Sequence, residues 1–261
     1  MTDVRQSIER ISGCSVSVKR AGTGPPVLFL HGASGASRWL PFMDALAAHF
    51  DVIVPEHPGY GRSETPPWLD NLGDLAYFYL DFIEHMGLRG VHLLGASLGG
   101  WVAAEIAVRN QHSLCTLTLV APAGIHVPGL AKGDVFLWTQ QELAHNLYHD
   151  QRLAEITLMQ PPPQEEADAQ LKNRLTTAKL AWQPRFYNPH LAKWLHRIKV
   201  PTLIVWGAND KLIPAQYAAA FGGLIPNSRL RVLEQCGHLP HVEKMADFVS
   251  AVTHFIEGVP Q

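Results

Sequence analysis

Two hydrophobic rhythms divide the chain. Residues 7–20 alternate apolar and polar positions around Ser12-Gly13, the pattern of an antiparallel hairpin at a sheet edge. Beyond it the alternation gives way to short continuous apolar runs at 27–30, 52–54, 91–94, 117–120 and 203–206. Such runs predict strands buried on both faces, as in a parallel sheet. A last strand is expected over 230–233. Helical spacing covers the segments between, at 39–49, 74–86, 98–109, 214–221 and 244–256. Strand and helix alternating in this way predict an α/β fold, a doubly wound, mostly parallel sheet flanked by helices.

The alternation breaks after Val120. From about 123 to 197 no buried strand is evident, while 135–148 and 165–181 carry helical periodicity on either side of Pro161-Pro162-Pro163. A helical insertion is expected, giving a core domain of residues 1–122 and 198–261 and a cap, or lid, of residues 123–197. In open α/β sheets ligands sit beyond the carboxyl ends of the strands, so such a cap is placed to shape a substrate site. An elaboration that merely covers the sheet is the alternative. Trp138, Trp182, Phe186, Tyr187 and Trp194 offer apolar surface, either for a substrate or for the cap's own core. Arg185 meets either a substrate carboxylate or solvent.

Composition narrows the partners. Hydrophobic residues at 47% against 17% charged describe an ordinary globular protein. With 21 basic and 23 acidic side chains the formal charge is -2, which leaves no basic excess for nucleic acid or an anionic membrane. Cys14, Cys115 and Cys236 are odd in number and widely spaced, which fits a reducing compartment. Asp3, Arg5, Glu9 and Arg10 occupy the stretch where a signal peptide would be apolar, and no window approaches the roughly 20 apolar residues of a membrane helix. A cytoplasmic protein, monomer or homodimer, is expected. The glycine-rich stretches match neither dinucleotide-binding nor P-loop patterns, so no cofactor is expected.

The chemistry centres on Gly95-Ala96-Ser97-Leu98-Gly99. Gly-x-Ser-x-Gly alone arises by chance in roughly one chain in ten of this length, so its context decides. A buried strand precedes it and a helix rich in small residues, Gly100, Ala103, Ala104 and Ala107, follows it, the setting of a nucleophile elbow. The turn brings the residues two before and two after the serine together, and both are glycine. Acyl transfer also needs two backbone N–H donors on the oxyanion: Leu98, which follows the nucleophile, and Ala33, in His31-Gly32-Ala33-Ser34-Gly35 at the end of strand 27–30, are the candidates. His31 is expected to hold that loop through its ring nitrogens. In such sites the partners follow as serine, acid, histidine. Asp210 lies directly after strand 203–206, whereas residues 121–133 after the preceding strand contain no Asp or Glu. An N-cap for the helix near Pro214 is the alternative role for Asp210. Gly237-His238 follows the last strand and supplies the base. His241 is its rival, and His238-x-x-His241 lacks the further ligands a metal site needs. Cys236 reads as a small buried filler.

Taken together these residues resemble the α/β-hydrolase family over nearly the whole chain, from His31-Gly32 through Pro58-Gly59-Tyr60-Gly61-Arg62-Ser63 and the elbow to Asp210 and Gly237-His238-Leu239-Pro240. The resemblance implies an eight-stranded sheet with a helical cap after the sixth strand, with Ser97, Asp210 and His238 as triad and Ala33 and Leu98 as oxyanion donors. It implies hydrolysis of a small-molecule carboxylic ester or lactone. Within the family the loop His31 to Ala36 resembles that of the meta-cleavage-product hydrolases, which split carbon-carbon bonds. This chain departs from them in having Pro41 before Phe42 where they carry asparagine, and Leu239 after the histidine where they carry tryptophan. From another class, some relatives keep the fold and bind ligands without turnover.

Overall fold

A computed structural model of the protein describes residues 3–160 and 162–259, so Pro161 of the triple-proline run lies outside the described residues. The N-terminal alternation becomes a hairpin of β1 (Arg5–Ile11) and β2 (Cys14–Ala21). Ser12 and Gly13 turn it with φ of 47° and 76°, the paired positive values that a two-residue hairpin turn requires. The apolar runs become β3 (Pro26–Leu30), β4 (Asp51–Pro55), β5 (Val91–Ala96), β6 (Leu114–Val120), β7 (Thr202–Gly207) and β8 (Ser228–Leu233). They form one eight-stranded sheet in the order β1-β2-β4-β3-β5-β6-β7-β8. β2 is antiparallel to both neighbours, and every pairing from β4 across to β8 is parallel.

Helices cover both faces. Before β6 come α1 (Pro41–Ala47), α2 (Leu72–His85) and α3 (Leu98–Arg109). Between β6 and β7 lie α4 (Gln140–Leu147), α5 (Gln151–Met159), α6 (Gln164–Ala181) and a 3-10 turn, Ala192–Arg197. After β7 come α7 (Gln216–Leu224), α8 (Pro240–Glu243) and α9 (Met245–Glu257). Strand side chains alternate between two cores: Leu28, Leu30, Leu93 and Trp206 pack with α2, α3 and α7, while Val27, Phe29, Leu94 and Val205 pack with α1 and α9. The central strands are buried on both faces, which is why they read as unbroken apolar runs rather than alternating ones.

Strand order reverses between β3 and β5: the chain leaves β3 toward β4 on one side and continues from β5 to β6 on the other. The crevice at such a switch point opens beyond the carboxyl ends of the strands. Here those ends carry the His31-Gly32 loop and Ser97.

The segment between β6 and β7 is helical as expected, with different boundaries. The helix expected over 135–148 is only α4, because Thr139 and Glu142 cap each other's backbone N–H and fix the start at Gln140. A helix the periodicity did not predict, α5, begins where the Asp150 side chain accepts from Arg152 N–H. No helix among the described residues is long and apolar enough to cross a membrane. Cys14, Cys115 and Cys236 are free thiols.

Candidate active site

β5 ends at Ala96 and α3 begins at Leu98, so Ser97 alone makes the turn. Its φ of 53° and ψ of -114° lie where a side chain is strained, a cost of about 1–3 kcal/mol. Neighbouring backbone holds it there. Ser97 N–H donates to the Val120 carbonyl at 2.8 Å, and its own carbonyl accepts from Trp101 and Ala123 N–H, both at 3.1 Å. A Cβ on Gly95 would run into the Gly99 carbonyl and lie 2.9 Å from Ala103 Cβ, and one on Gly99 would strike the Leu30 and His31 carbonyls. The two glycines therefore let α3 lie directly against β3 and β5.

The half-buried Ser97 reaches two residues far away in sequence. Its Oγ lies 2.9 Å from His238 Nε2, and His238 Nδ1 lies 2.7 Å from Asp210 Oδ2. A carboxylate only accepts, so Nδ1 carries the proton and Nε2 is the acceptor for the serine hydroxyl. His238 and Asp210 are buried, at 3% and 6% exposure, which shields the pair from competing water. The second carboxylate oxygen of Asp210 accepts from Leu212 and Ile213 N–H, both at 2.9 Å, which fixes the plane of the carboxylate. The capping alternative for Asp210 is thus partly realised as an Asx turn, with the other oxygen left for histidine.

The loop after β3 lies against the serine: a Cβ on Gly32 would sit 3.3 Å from Ser97 Cβ and 3.9 Å from its Oγ. A turn closes it, Gly35 N–H donating to the Gly32 carbonyl at 3.1 Å. The Ala33 and Leu98 backbone N–H groups donate to no protein acceptor among the described residues. His31 holds the loop from below, donating from Nδ1 to the Gly32 carbonyl at 2.7 Å and accepting at Nε2 from His57 N–H at 2.9 Å. His57 returns the contact, Nε2 donating to the His31 carbonyl at 2.9 Å and Nδ1 accepting from Tyr79 Oη at 2.5 Å. The two rings lie 3.7 Å apart. Burial holds His31 well below the ordinary histidine value and lowers His57 to about 4, so both are neutral bolts rather than acids.

His241, the rival base, makes no hydrogen bond to the serine. It sits in a box of Phe29, Phe42 and Phe248, where burial, followed by the field of His238, pushes it down to about 3. Cys236 is fully buried, its thiol pushed up to about 12, chiefly by burial. Arg185, half-buried, pairs with Asp134 at 2.8 Å and lies over the Trp182 ring at 4.0 Å. Phe186 stacks on Phe136, Tyr187 lies beside His126, and Trp138 covers Gly133, while Trp182 and Trp194 are about half exposed. No group of three or more potential metal-ligating side chains is present among the described residues.

Two residues at this site escaped the sequence reading. The Glu243 carboxylate accepts from Gly237 N–H at 2.5 Å and from Asp150 N–H, while His238 N–H donates to the Leu147 carbonyl at 2.7 Å, so the histidine loop is tied to the α4–α5 corner. Asn173 on α6 bonds the Ser34 carbonyl at 2.9 Å and Gly61 N–H at 2.8 Å. Contacts to backbone atoms remote in sequence leave no spacing signal.

Comparison with known proteins adds three relatives and a family. A family model described as alpha/beta hydrolase fold matches residues 25–245. The dihydrolipoyllysine-residue acetyltransferase component of the acetoin cleaving system of Cupriavidus necator is 28% identical over 95% of this chain and 68% of its own. The 2-hydroxy-6-oxo-6-(2'-aminophenyl)hexa-2,4-dienoic acid hydrolase of Metapseudomonas resinovorans is 25% identical over 94% of this chain and 88% of its own. The monoacylglycerol lipase ABHD6 of Mus musculus is 26% identical over 92% of this chain and 78% of its own. Three relatives at nearly equal identity carry three different activities, so likeness alone does not choose the reaction.

Proposed function

The chain belongs to the α/β-hydrolase fold family, and on that premise we propose that it is a serine hydrolase cleaving a carboxylic ester or lactone of a small molecule through an acyl-enzyme. The observation that carries this reading is the hydrogen-bonded line from Ser97 Oγ through His238 to Asp210, at 2.9 and 2.7 Å, whose serine end lies against the Gly32–Ala33 loop. In this reading His238 Nε2 takes the Ser97 proton as Oγ adds to the substrate carbonyl. The Ala33 and Leu98 N–H groups receive the oxyanion, and the imidazolium, steadied by Asp210, returns its proton to the departing alkoxide. Water then adds to the acyl group by the same route and frees the acid.

A carbon-carbon bond hydrolase is the second reading, supported by likeness to the Metapseudomonas enzyme, which acts on a dienoic acid. Pro41 opens α1 and offers no side-chain hydrogen bond, and Leu239 is aliphatic, so neither supplies the polar or aromatic group that family carries there. These two positions favour the ester reading.

Hydrolysis of p-nitrophenyl esters from acetate to laurate, with Ser97→Ala as control, tests the choice. Turnover should fall about a thousandfold or more in the variant. Near-normal turnover by Ser97→Ala removes the serine from the mechanism, and wild-type silence on esters with turnover of a coloured dienol ring-cleavage product transfers the assignment to carbon-carbon cleavage.

A further inference from the structure

α6 buries a polar face. Asn173, Thr176 and Thr177 are 2–7% exposed, and a primary amide buried in the middle of a helix destabilises unless both its atoms find partners. Those of Asn173 do, in two separate loops of the core: Nδ2 donates to the Ser34 carbonyl at 2.9 Å, and Oδ1 accepts from Gly61 N–H at 2.8 Å. The loop is shaped to receive this amide. Gly35 has φ of +88°, and a Cβ there would overlap Asn173 Nδ2.

Three groups tether the turn that carries Ala33. His31 holds the Gly32 carbonyl, Lys19 Nζ donates to the Ala36 carbonyl at 2.7 Å, and Asn173 holds the Ser34 carbonyl between them. The first two belong to the core, from which they cannot depart. Asn173 alone comes from the segment inserted between β6 and β7. Gly32 and Gly35 close the turn, Gly35 N–H donating to the Gly32 carbonyl at 3.1 Å, and the Ser34 carbonyl that Asn173 grips lies between them, directly after Ala33. Thr176 and Lys172 bond the adjacent 59–63 loop and seat α6 there, donating to the Gly59 carbonyl at 2.7 Å and the Ser63 carbonyl at 2.6 Å.

We propose that Asn173 is a positioning residue through which docking of α6 sets the orientation of the oxyanion loop, so that seating of the inserted helices and assembly of the oxyanion site are one event. The inference rests on the acyl-transfer reading above.

An organophosphonate that phosphonylates active serines tests it, because the developing phosphoryl oxyanion uses the same donors whatever the natural substrate. Asn173→Asp keeps the acceptor for Gly61 and loses the donor to Ser34, and Asn173→Ser provides a second, smaller replacement. The limiting inactivation rate constant should fall roughly tenfold to a hundredfold, the scale of a displaced rather than deleted oxyanion donor, with the reagent's half-saturation concentration changed less than about threefold. Melting curves recorded alongside keep each assay well below unfolding. A lower melting temperature with an unchanged rate constant would mean that Asn173 only stabilises the fold, and overturns the inference. Wild-type protein that is not phosphonylated at Ser97 overturns the acyl-transfer reading and the inference with it; wild-type labelling with equal rates in both variants overturns the inference alone.

Discussion

Ser97 adopts a backbone conformation that suits glycine, yet it has a side chain, whose hydroxyl the proposed mechanism uses as nucleophile. The strain persists because the Ser97 N–H and carbonyl are both engaged, by the end of β6 and the first turn of α3. On the proposed mechanism stability and function pull against each other at this one residue, and the conflict can be measured. Ser97→Ala keeps the strained Cβ, whereas Ser97→Gly removes it, so the glycine variant should be more stable than the alanine variant by about 1 kcal/mol, or roughly 2 °C in melting temperature for a chain of this size. Equal melting temperatures would show that the turn stores no strain. Neither variant should turn over ester. At Asp210 the same economy of position holds: one oxygen is spent on two backbone N–H groups so that the other points unambiguously at His238.

At the scale of elements, what could be read in the sequence was what local pattern dictates. The hairpin was legible in its alternation, the central strands in their unbroken apolar runs, and the elbow in glycines whose spacing the turn requires. Ser97, more than a hundred positions from both Asp210 and His238, could be placed beside them only because each of the three follows a strand at the same edge of one sheet. The inserted helices were legible in number only in part. α6, expected over 165–181, is present at Gln164–Ala181, but its buried face was not legible: the stripe runs Asn173, Thr176, Thr177, Leu180, Ala181, opened by polar residues, while Leu171 and Leu175 are exposed at 60% and 64%. Polarity there records a face that bonds to loop backbone rather than one that packs a core, and a pattern of apolar positions is blind to it. Of the inserted α-helices, α5 alone was missed, since its signal was a cap at Asp150 rather than a periodicity.

For the whole molecule, the site is a junction where β3, β5, β6, β7 and β8 each deliver one loop, braced beneath by buried neutral histidines. That bracing has a consequence for acid stability. His57 at about 4 and His241 at about 3 lie far below the ordinary histidine value, so between pH ~6.5 and those values the unfolded chain binds protons that the folded one refuses. Stability should therefore decline as pH falls from 6.5, by roughly 2–3 kcal/mol per pH unit for the two groups together between pH ~6 and ~4. Urea unfolding midpoints at pH 7, 6 and 5 should shift down accordingly, and His241→Phe, completing the box of Phe29, Phe42 and Phe248, should make the dependence shallower. A pH profile identical in wild type and variant would mean that His241 is not held neutral by burial. The central claim of the proposed mechanism is that Ser97 forms an acyl-enzyme. Acid-quenching the reaction with p-nitrophenyl acetate within its first turnovers and determining the mass of the protein and its peptides tests this directly. The account predicts a single acetyl group on the peptide carrying Ser97, absent from Ser97→Ala; acetylation at another residue, or ester turnover with no covalent intermediate on rapid quenching, would contradict it.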